Sequence, residues 1–269
     1  MVNFTLKEKY SIDDLLHIMR LLRSPDGCPW DREQTHRSIR RNFIEEVYEA
    51  CEAIDLEDDA LLIEELGDVL LQIVFHAEMA REERRFDFDD VADGICKKLI
   101  VRHPHIFGGL KLETDGAEEV LKNWEAIKNK TKNHTSHTES LEAVAKSLPA
   151  LMRAEKVQSR AKRAGMDWDG VAPVMDKLRE ETQELAEAAE GRGDAFAELG
   201  DVLFTAVNIA RHMGIDPEEA LGASTERFVA RFRAVEKRCE KDGVNMAEAG
   251  LPVLDKFWED AKDGEKKAK

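Results

Sequence analysis

The chain is short of cationic charge, of chain-breaking residues and of aromatic rings, and each shortage excludes something. Lys and Arg number 40 against 56 Asp and Glu in 269 residues, a formal net charge of −16. So acidic a surface is unsuited to gripping a nucleic acid polymer or an anionic membrane through a broad basic face. Seven Pro, 16 Gly and 6% aromatics leave few of the residues a strand-rich sandwich needs, and 42% apolar content is too high for a disordered chain. No run of about 18 apolar residues is present, the minimum for a spanning helix, and the opening MVNFTLKEKYSIDD lacks the apolar centre of a signal peptide. The cysteines Cys28, Cys51, Cys96 and Cys239 are scattered without a C-x-x-C pair, which fits reduced thiols better than a disulfide framework. A soluble, cytoplasmic protein is expected, long enough for one large core or two small ones.

What the chain does contain is a duplication. Glu65-Leu-Gly-Asp-Val-Leu-Leu recurs as Glu198-Leu-Gly-Asp-Val-Leu-Phe at an offset of 133, and Glu45-Glu46-Val-Tyr-Glu49 as Glu180-Glu181-Thr-Gln-Glu184 at 135. Asp87-Phe-Asp-Asp faces Asp216-Pro-Glu-Glu, Trp124-Glu-Ala-Ile-Lys128 faces Trp258-Glu-Asp-Ala-Lys262, and Trp30-Asp31 faces Trp168-Asp169. Five blocks in the same order predict tandem copies of one unit. The polar stretch around TKNHTSHTE reads as a linker, so domains are expected over 1–132 and 140–262, with 133–139 between them and a lysine-rich tail at 263–269.

Within each copy the apolar period is helical. Ile12, Leu15, Leu16, Met19 and Leu22 recur at steps of three and four. Leu66, Val69, Leu70, Ile73 and Val74 do the same, while Leu71 and Phe75 carry apolarity around that helix and predict a place at a bundle centre or interface. Leu199, Val202, Leu203, Ala206 and Val207 repeat the stripe. Breaks fall at Leu56–Asp59, Gly108–Gly109, Gly191–Asp194 and Gly214–Pro217, and no alternating strand pattern appears. The expected fold class is all-α, two tandem helical bundles of four or five helices each.

Acids interrupt these helices in a set pattern. Glu46 and Glu49 are three residues apart and share a face, as do Glu65 and Asp68 on the next helix, and the second copy repeats the set with Glu181, Glu184, Glu198 and Asp201. If the helices pack antiparallel, four carboxylates converge in each copy. Like charges about 4 Å apart repel by roughly 4 kcal/mol per pair at an effective dielectric near 20, so such a group must splay into water, protonate or hold cations. Acids at this spacing usually line a solvated face. Here they abut the most apolar helix of each copy, and both motifs are duplicated, which favours a metal site. Oxygen ligands without His or Cys suit Mg²⁺, with Mn²⁺ as a substitute.

E-E-x-x-E followed by E-L-G-D, twice, with L-P-A-L-M-R-A-E-K at 148–156 and G-C-P-W-D-R-E-Q-T-H at 27–36, resembles the MazG family of nucleoside triphosphate pyrophosphohydrolases. The likeness runs from about Leu15 to Lys262 and includes the tandem arrangement. It implies an all-α pyrophosphohydrolase fold, Mg²⁺ dependence, homodimerisation and hydrolysis of NTPs to NMP and pyrophosphate. Matched residue by residue, it implies metal ligation by Glu181, Glu184, Glu198 and Asp201. It further implies catalysis mainly in the second copy and an assembly role for the first, although Glu46, Glu49, Glu65 and Asp68 are all intact.

A triphosphate needs cations beyond the metal. Arg227, Arg231 and Arg233 follow the acid pair, with Arg227 and Arg231 four apart, and Trp258 and Lys262 are likewise four apart. Within the resemblance, Arg227, Arg231 and Lys262 are candidate phosphate contacts, and Trp258 a candidate to stack on or pack near a base. Lys128, Trp124 and Arg102 are their counterparts in the first copy. Asn208 stands where the first copy has Phe75, a polar group that could bond a nucleotide or a neighbouring helix. The water would be oriented or deprotonated by Glu181 or Glu180. Asp55–Asp59 reads as a loop, His103-Pro-His105 as a polar turn, and no E-x-x-H, P-loop, H-E-x-x-H or G-x-S-x-G motif is present. Two rivals stay open, a helical interaction protein with acidic faces and a phosphohydrolase cleaving the β–γ bond.

Overall fold

The computed structural model describes residues 4–109, 127 and 136–268. The chain divides into two compact units, Met1–Lys132 and Asn133–Lys269. Every element among the described residues is helical, and no strand occurs among them. No described helix is long and apolar enough to cross a membrane. Cys28, Cys51, Cys96 and Cys239 are free thiols.

The first unit contains α1 (Ile12–Arg23), α2 (Pro29–Glu33), α3 (Arg40–Asp55), α4 (Asp59–Glu82), α5 (Phe88–Arg102) and α6 (Pro104–Phe107). Helix α1 starts at a capping box, where the Ser11 side chain accepts from Asp14 N and Ser11 N donates to the Asp14 carboxylate at 2.9 Å. Its apolar stripe buries Met19 together with Ile39 and with Val74, Phe75 and Met79 of α4. Leu15, Leu16, Leu70, Leu71 and Phe88 close around them. Arg23 is buried beside this core. Its Nε and Nη2 donate to Glu82 at 2.9 and 2.8 Å, Nη1 donates to the carbonyls of Asp31 and Gln34, and the guanidinium lies 5.4 Å from the Phe75 ring centroid. One side chain thereby ties α2 and the turn after it to α4.

Helices α3 and α4 form a hairpin across three residues. Asp58 caps α4 by accepting from the amides of Ala60 and Leu61 at 3.0 and 3.1 Å, so the acidic stretch 55–59 is a helix-to-helix turn. The apolar sides of α4 divide along its length. Val74, Phe75, Ala77, Met79 and Ala80 are buried, but Ile63 and Leu66, about two to three turns earlier, are 75% and 53% exposed.

The second unit contains α7 (His137–Glu142), α8 (Ala150–Arg163), α9 (Val171–Ala189), α10 (Ala195–Met213), α11 (Pro217–Asp242) and α12 (Leu251–Ala268). Helices α9 and α10 repeat the hairpin, with Asp194 capping α10 through the amides of Phe196 and Ala197. Helix α10 ends at Gly214, whose φ of +67° suits a residue without Cβ, and Pro217 then opens α11. Helix α8 packs on α10 and α11, and Glu218 at the start of α11 accepts from Met152 N near the start of α8 at 3.0 Å.

Three features differ from the sequence expectation. Each unit holds six described helices because α2, α6 and α7 are about one or two turns long, too short to display a period; α6 takes up most of the His103–His105 turn. Part of the expected linker is α7, started by Ser136, whose side chain accepts from Glu139 N at 3.1 Å. The tail expected to start at 263 is continuous with α12, since Glu, Lys and Ala are good helix formers and nothing after Gly264 breaks the helix before Ala268.

Met19→Ala should lower the unfolding free energy by about 2–5 kcal/mol, the range for emptying a buried site of this size. Leu6→Ala, at a side chain 83% exposed, should change it by less than about 0.5 kcal/mol. Urea denaturation followed by circular dichroism measures both.

Candidate active site

The acids occupy the two hairpins. On the second, α9 carries Glu180, Glu181 and Glu184, and α10 carries Glu198 and Asp201. Because both helices present residues three apart toward the partner, carboxylates meet across the interface. One oxygen each of Glu181, Glu198 and Asp201 lies within 4.8 Å of the other two. Glu181 is buried, Glu198 half-buried and Asp201 exposed, so the cluster has a dry side and a wet one. Glu184 borders it: burial, a hydrogen bond with Glu181 and the charges of Glu181 and Glu198 push its carboxyl above the ordinary value.

The first hairpin has the same design. Oxygens of Glu46, Glu49 and Glu65 lie within 4.8 Å of one another. Burial, then the charges of Asp68 and Glu49, raise the Glu46 carboxyl, and burial followed by Glu49 and Asp68 raises Glu65. Asp68 is thus the fourth acid, close enough to act on both. Glu45 belongs elsewhere, paired with Arg41 Nε at 2.7 Å on an exposed face. Both three-acid groups are made of carboxylates alone, hard oxygen donors open to solvent on one side, which is the donor set that a partly hydrated Mg²⁺ takes.

Lys177, which sequence reasoning passed over, is part of the second site. Its Nζ lies 2.7 Å from Glu180 Oε1 and 2.8 Å from Glu181 Oε1, and these bonds hold its ammonium above the usual lysine range. The available signal was spacing, since Lys177 precedes Glu181 by four residues.

The basic and aromatic candidates assemble on a different helix pair. The Trp258 ring is 5.0 Å from that of Phe228, and the Arg231 guanidinium lies 5.9 Å over it. Lys262 pairs with Glu259 at 2.8 Å, and Arg227 is exposed. Among the described residues α9 packs against α10 alone and α12 against α11 alone, so this group meets the acid hairpin only through α11 against α10. Lys128 and Trp124 lie outside the described residues.

Asn208 is 4% exposed, and its Oδ1 accepts from Arg211 Nε at 3.1 Å and from Nη2. Arg211 also grips Asp167 with two nitrogens, and His212 Nε2 is 3.2 Å from the same carboxylate. Burial opposes ionisation of Asp167, but hydrogen bonding and charge from Arg211 prevail and hold its carboxyl below the usual range.

A carboxyl raised on folding makes the native state bind more protons, so its contribution to stability is present below the unfolded value and lost as pH rises through the folded one. Glu184→Gln cannot ionise. In metal-free buffer its melting temperature should therefore gain on the parent protein as pH rises from the ordinary value of 4.5 upward. Paired thermal melts across that window check the sign, and a gap that narrows with pH would contradict it.

Comparison with known proteins accords with this geometry. The MazG nucleotide pyrophosphohydrolase domain matches twice, over residues 34–107 and 171–235, and each match contains one whole acid hairpin. The protein named nucleoside triphosphate pyrophosphohydrolase/pyrophosphatase MazG of Thermotoga maritima is 44% identical over 255 residues, 94% of this chain and 96% of that one. The nucleoside triphosphate pyrophosphohydrolase of Escherichia coli is 43% identical over 256 residues, 93% of this chain and 97% of its own. The uncharacterised protein YabN of Bacillus subtilis is 44% identical over 254 residues, which make up 51% of its length. With the domain found twice and relatives of 43% and 44% identity aligned along almost their whole lengths, the chain belongs to the MazG nucleotide pyrophosphohydrolase family.

Proposed function

We propose that this protein is an Mg²⁺-dependent nucleoside triphosphate pyrophosphohydrolase that converts an NTP and water to NMP and pyrophosphate at the carboxylates of the second unit. The observation that carries the reading is the convergence of Glu181, Glu198 and Asp201 within 4.8 Å, with Glu184 beside them, in a chain of this family. A divalent cation relieves the crowding of these carboxylates, of which Glu184 is raised by burial and by its acidic neighbours, and an all-oxygen donor set favours Mg²⁺ over softer metals, with Mn²⁺ able to replace it. When bound, Mg²⁺ would supply Lewis-acid polarisation of the phosphate oxygens and offset the charge that develops there.

The chain's own groups do the rest. Glu181, Glu184, Glu198 and Asp201 would hold the cation. A carboxylate of the Glu180–Glu181 pair takes the proton as the water oxygen bonds to the α-phosphorus and the bond to the bridging oxygen breaks, releasing pyrophosphate. Lys177 neutralises that pair before a cation binds; once the pair is otherwise engaged, its ammonium is available to a phosphate oxygen. Arg227, Arg231 and Lys262 contact the remaining phosphates, and Trp258 steadies Arg231 by a cation–π contact. Glu46, Glu49, Glu65 and Asp68 can hold a cation by the same chemistry, but we assign turnover to the second unit, where Asn208 replaces Phe75.

We propose a homodimer from what the second unit leaves bare. Phe196, Leu199 and Leu203 on α10 are 90%, 48% and 49% exposed, and Phe228 on α11 is 56% exposed. Apolar residues in such numbers on a helix hairpin call for a facing surface, and a second copy of the chain supplies one. Units at 1–132 and 140–262 would each be a domain of this kind.

Purified protein with Mg²⁺ and an NTP should release NMP and pyrophosphate. NDP with phosphate, or no product, would refute the reading. Glu198→Ala and Asp201→Ala should each lower kcat by about 100-fold or more with unchanged helicity, and full activity in both would move the site out of the second unit. Light scattering should give a mass twice that of the 30.5 kDa chain.

A further inference from the structure

We infer that the cavity between the first half of α8 and α10 binds an amphipathic anion, an apolar body carrying a carboxylate or phosphate head, with Arg153 and Lys146 holding the head. This site stands apart from the pyrophosphohydrolase reading. The cavity measures about 480 Å³, a volume usual for small-molecule sites. Leu148, Leu151, Val157, Leu203, Phe204 and Val207 wall it, and the charged residues of its lining, Lys146 and Arg153, are both cations.

The protein leaves these two cations unneutralised. Arg153 Nε is buried without a hydrogen-bond partner, and neither Arg153 nor Lys146 forms an ion pair among the described residues. Glu218, the acid that reaches the start of α8, is engaged by the Met152 amide at 3.0 Å. In a chain with 56 acids against 40 Lys and Arg, two unpaired cations on one cavity are out of keeping with the rest of the surface. A buried donor without an acceptor is costly, and the cost is lifted when a ligand brings one. Nε and one Nη of a guanidinium form a parallel pair of donors that matches two oxygens of a carboxylate or a phosphate, and a turn of the side chain brings that edge to the cavity. Lys146 is exposed and adds an ammonium on a long stem. The walls offer a bare inorganic ion nothing, whereas an alkyl or aryl body leaves water by lying against them.

The cavity is separate from the acid hairpin. None of Glu181, Glu184, Glu198 and Asp201 lines it. At about 100° per residue, Gly200 and Leu203 lie roughly 100° and 200° around α10 from Asp201, so the cavity and the acids occupy different sides of that helix. A Cβ built on Gly200 meets nothing within 4 Å, which leaves open space at this point of the wall. The first unit repeats neither cation. At the offset of 138 that sets Trp30 against Trp168, Arg153 faces Leu15 and Lys146 faces Glu8, and Leu15 packs against the core of its unit. Leu203 also belongs to the apolar surface offered to a second copy, so ligand and assembly need separate readouts.

The test is calorimetric titration of the full-length protein, free of nucleotide, with octanoate, octyl phosphate and uncharged 1-octanol as probes. One of the anions or both should bind about tenfold or more tightly than 1-octanol, which reports the apolar walls alone, and the tighter anion identifies the head. Arg153→Met should shrink that margin about tenfold and Lys146→Met, at an exposed position, about threefold, with the affinity for 1-octanol unchanged in both. Arg153→Lys, which keeps the charge and fills most of the same space, should retain part of the margin. Anions that bind no better than 1-octanol overturn the proposal, as does a margin untouched by all three variants. Anion binding that requires Mg²⁺ also overturns it, because the head would then sit at the acids. If light scattering shows that Lys146→Met or Arg153→Met changes the mass of the particle while the margin stays intact, the cavity belongs to a contact between copies and the proposal falls. No readout uses NTP hydrolysis, so this site and the assigned reaction stand or fall independently.

Discussion

Mutual repulsion among carboxylates is the constraint around which both acid hairpins are built. Glu181, Glu198 and Asp201 would spread into water if their helices were free to part. They are kept together because α9 and α10 share the most extensive helix contact of the second unit and because Asp194 fixes where α10 begins. The strain is visible in Glu184, raised by burial and by its acidic neighbours, and in Lys177, drawn onto Glu180 and Glu181. Under the proposed function, a divalent cation would offset this negative charge and let a polyanion approach a chain whose net charge is −16.

The duplication lets one unit be compared with the other inside a single chain. Both hairpins keep their acids and their aspartate caps, Asp58 and Asp194. They differ beside the acids. In the first unit Phe75 joins Val74 and Met79 in the core under a buried Arg23, whereas the matching position of the second is Asn208, held by Arg211 and Asp167 beside an open cavity. The first unit has put apolar packing where the second has a polar floor, the contrast on which turnover is proposed for the second unit.

Most of the helices were legible because an amphipathic stripe of three or four turns has a period. The junctions of α3 with α4 and of α9 with α10 were legible too, marked by Leu56–Asp59 and Gly191–Asp194. Helices α2, α6 and α7 were not, since one or two turns carry no period, and α7 was masked further by a polar composition that also suits a linker. The acids stood out through i, i+3 spacing repeated in two copies. Lys177 escaped because its partners are acids already given another task, and Arg153 because nothing in α8 tells which polar residue faces inward. Asp167, Arg211 and Asn208 escaped as a group for a related reason. Asp167 is 44 residues from Arg211, and spacing says nothing about pairs so distant.

By itself, then, the order of residues determined the helical class, the tandem repeat, the acid pairs and the family resemblance, because all of these depend on neighbours within a few turns or on one stretch matched to another. Only the tertiary structure decided which acids share a cluster, which cation neutralises them, and which cations are left unpaired beside a cavity. Those depend on side chains meeting across helices, where a rotation of one residue exchanges a buried partner for water.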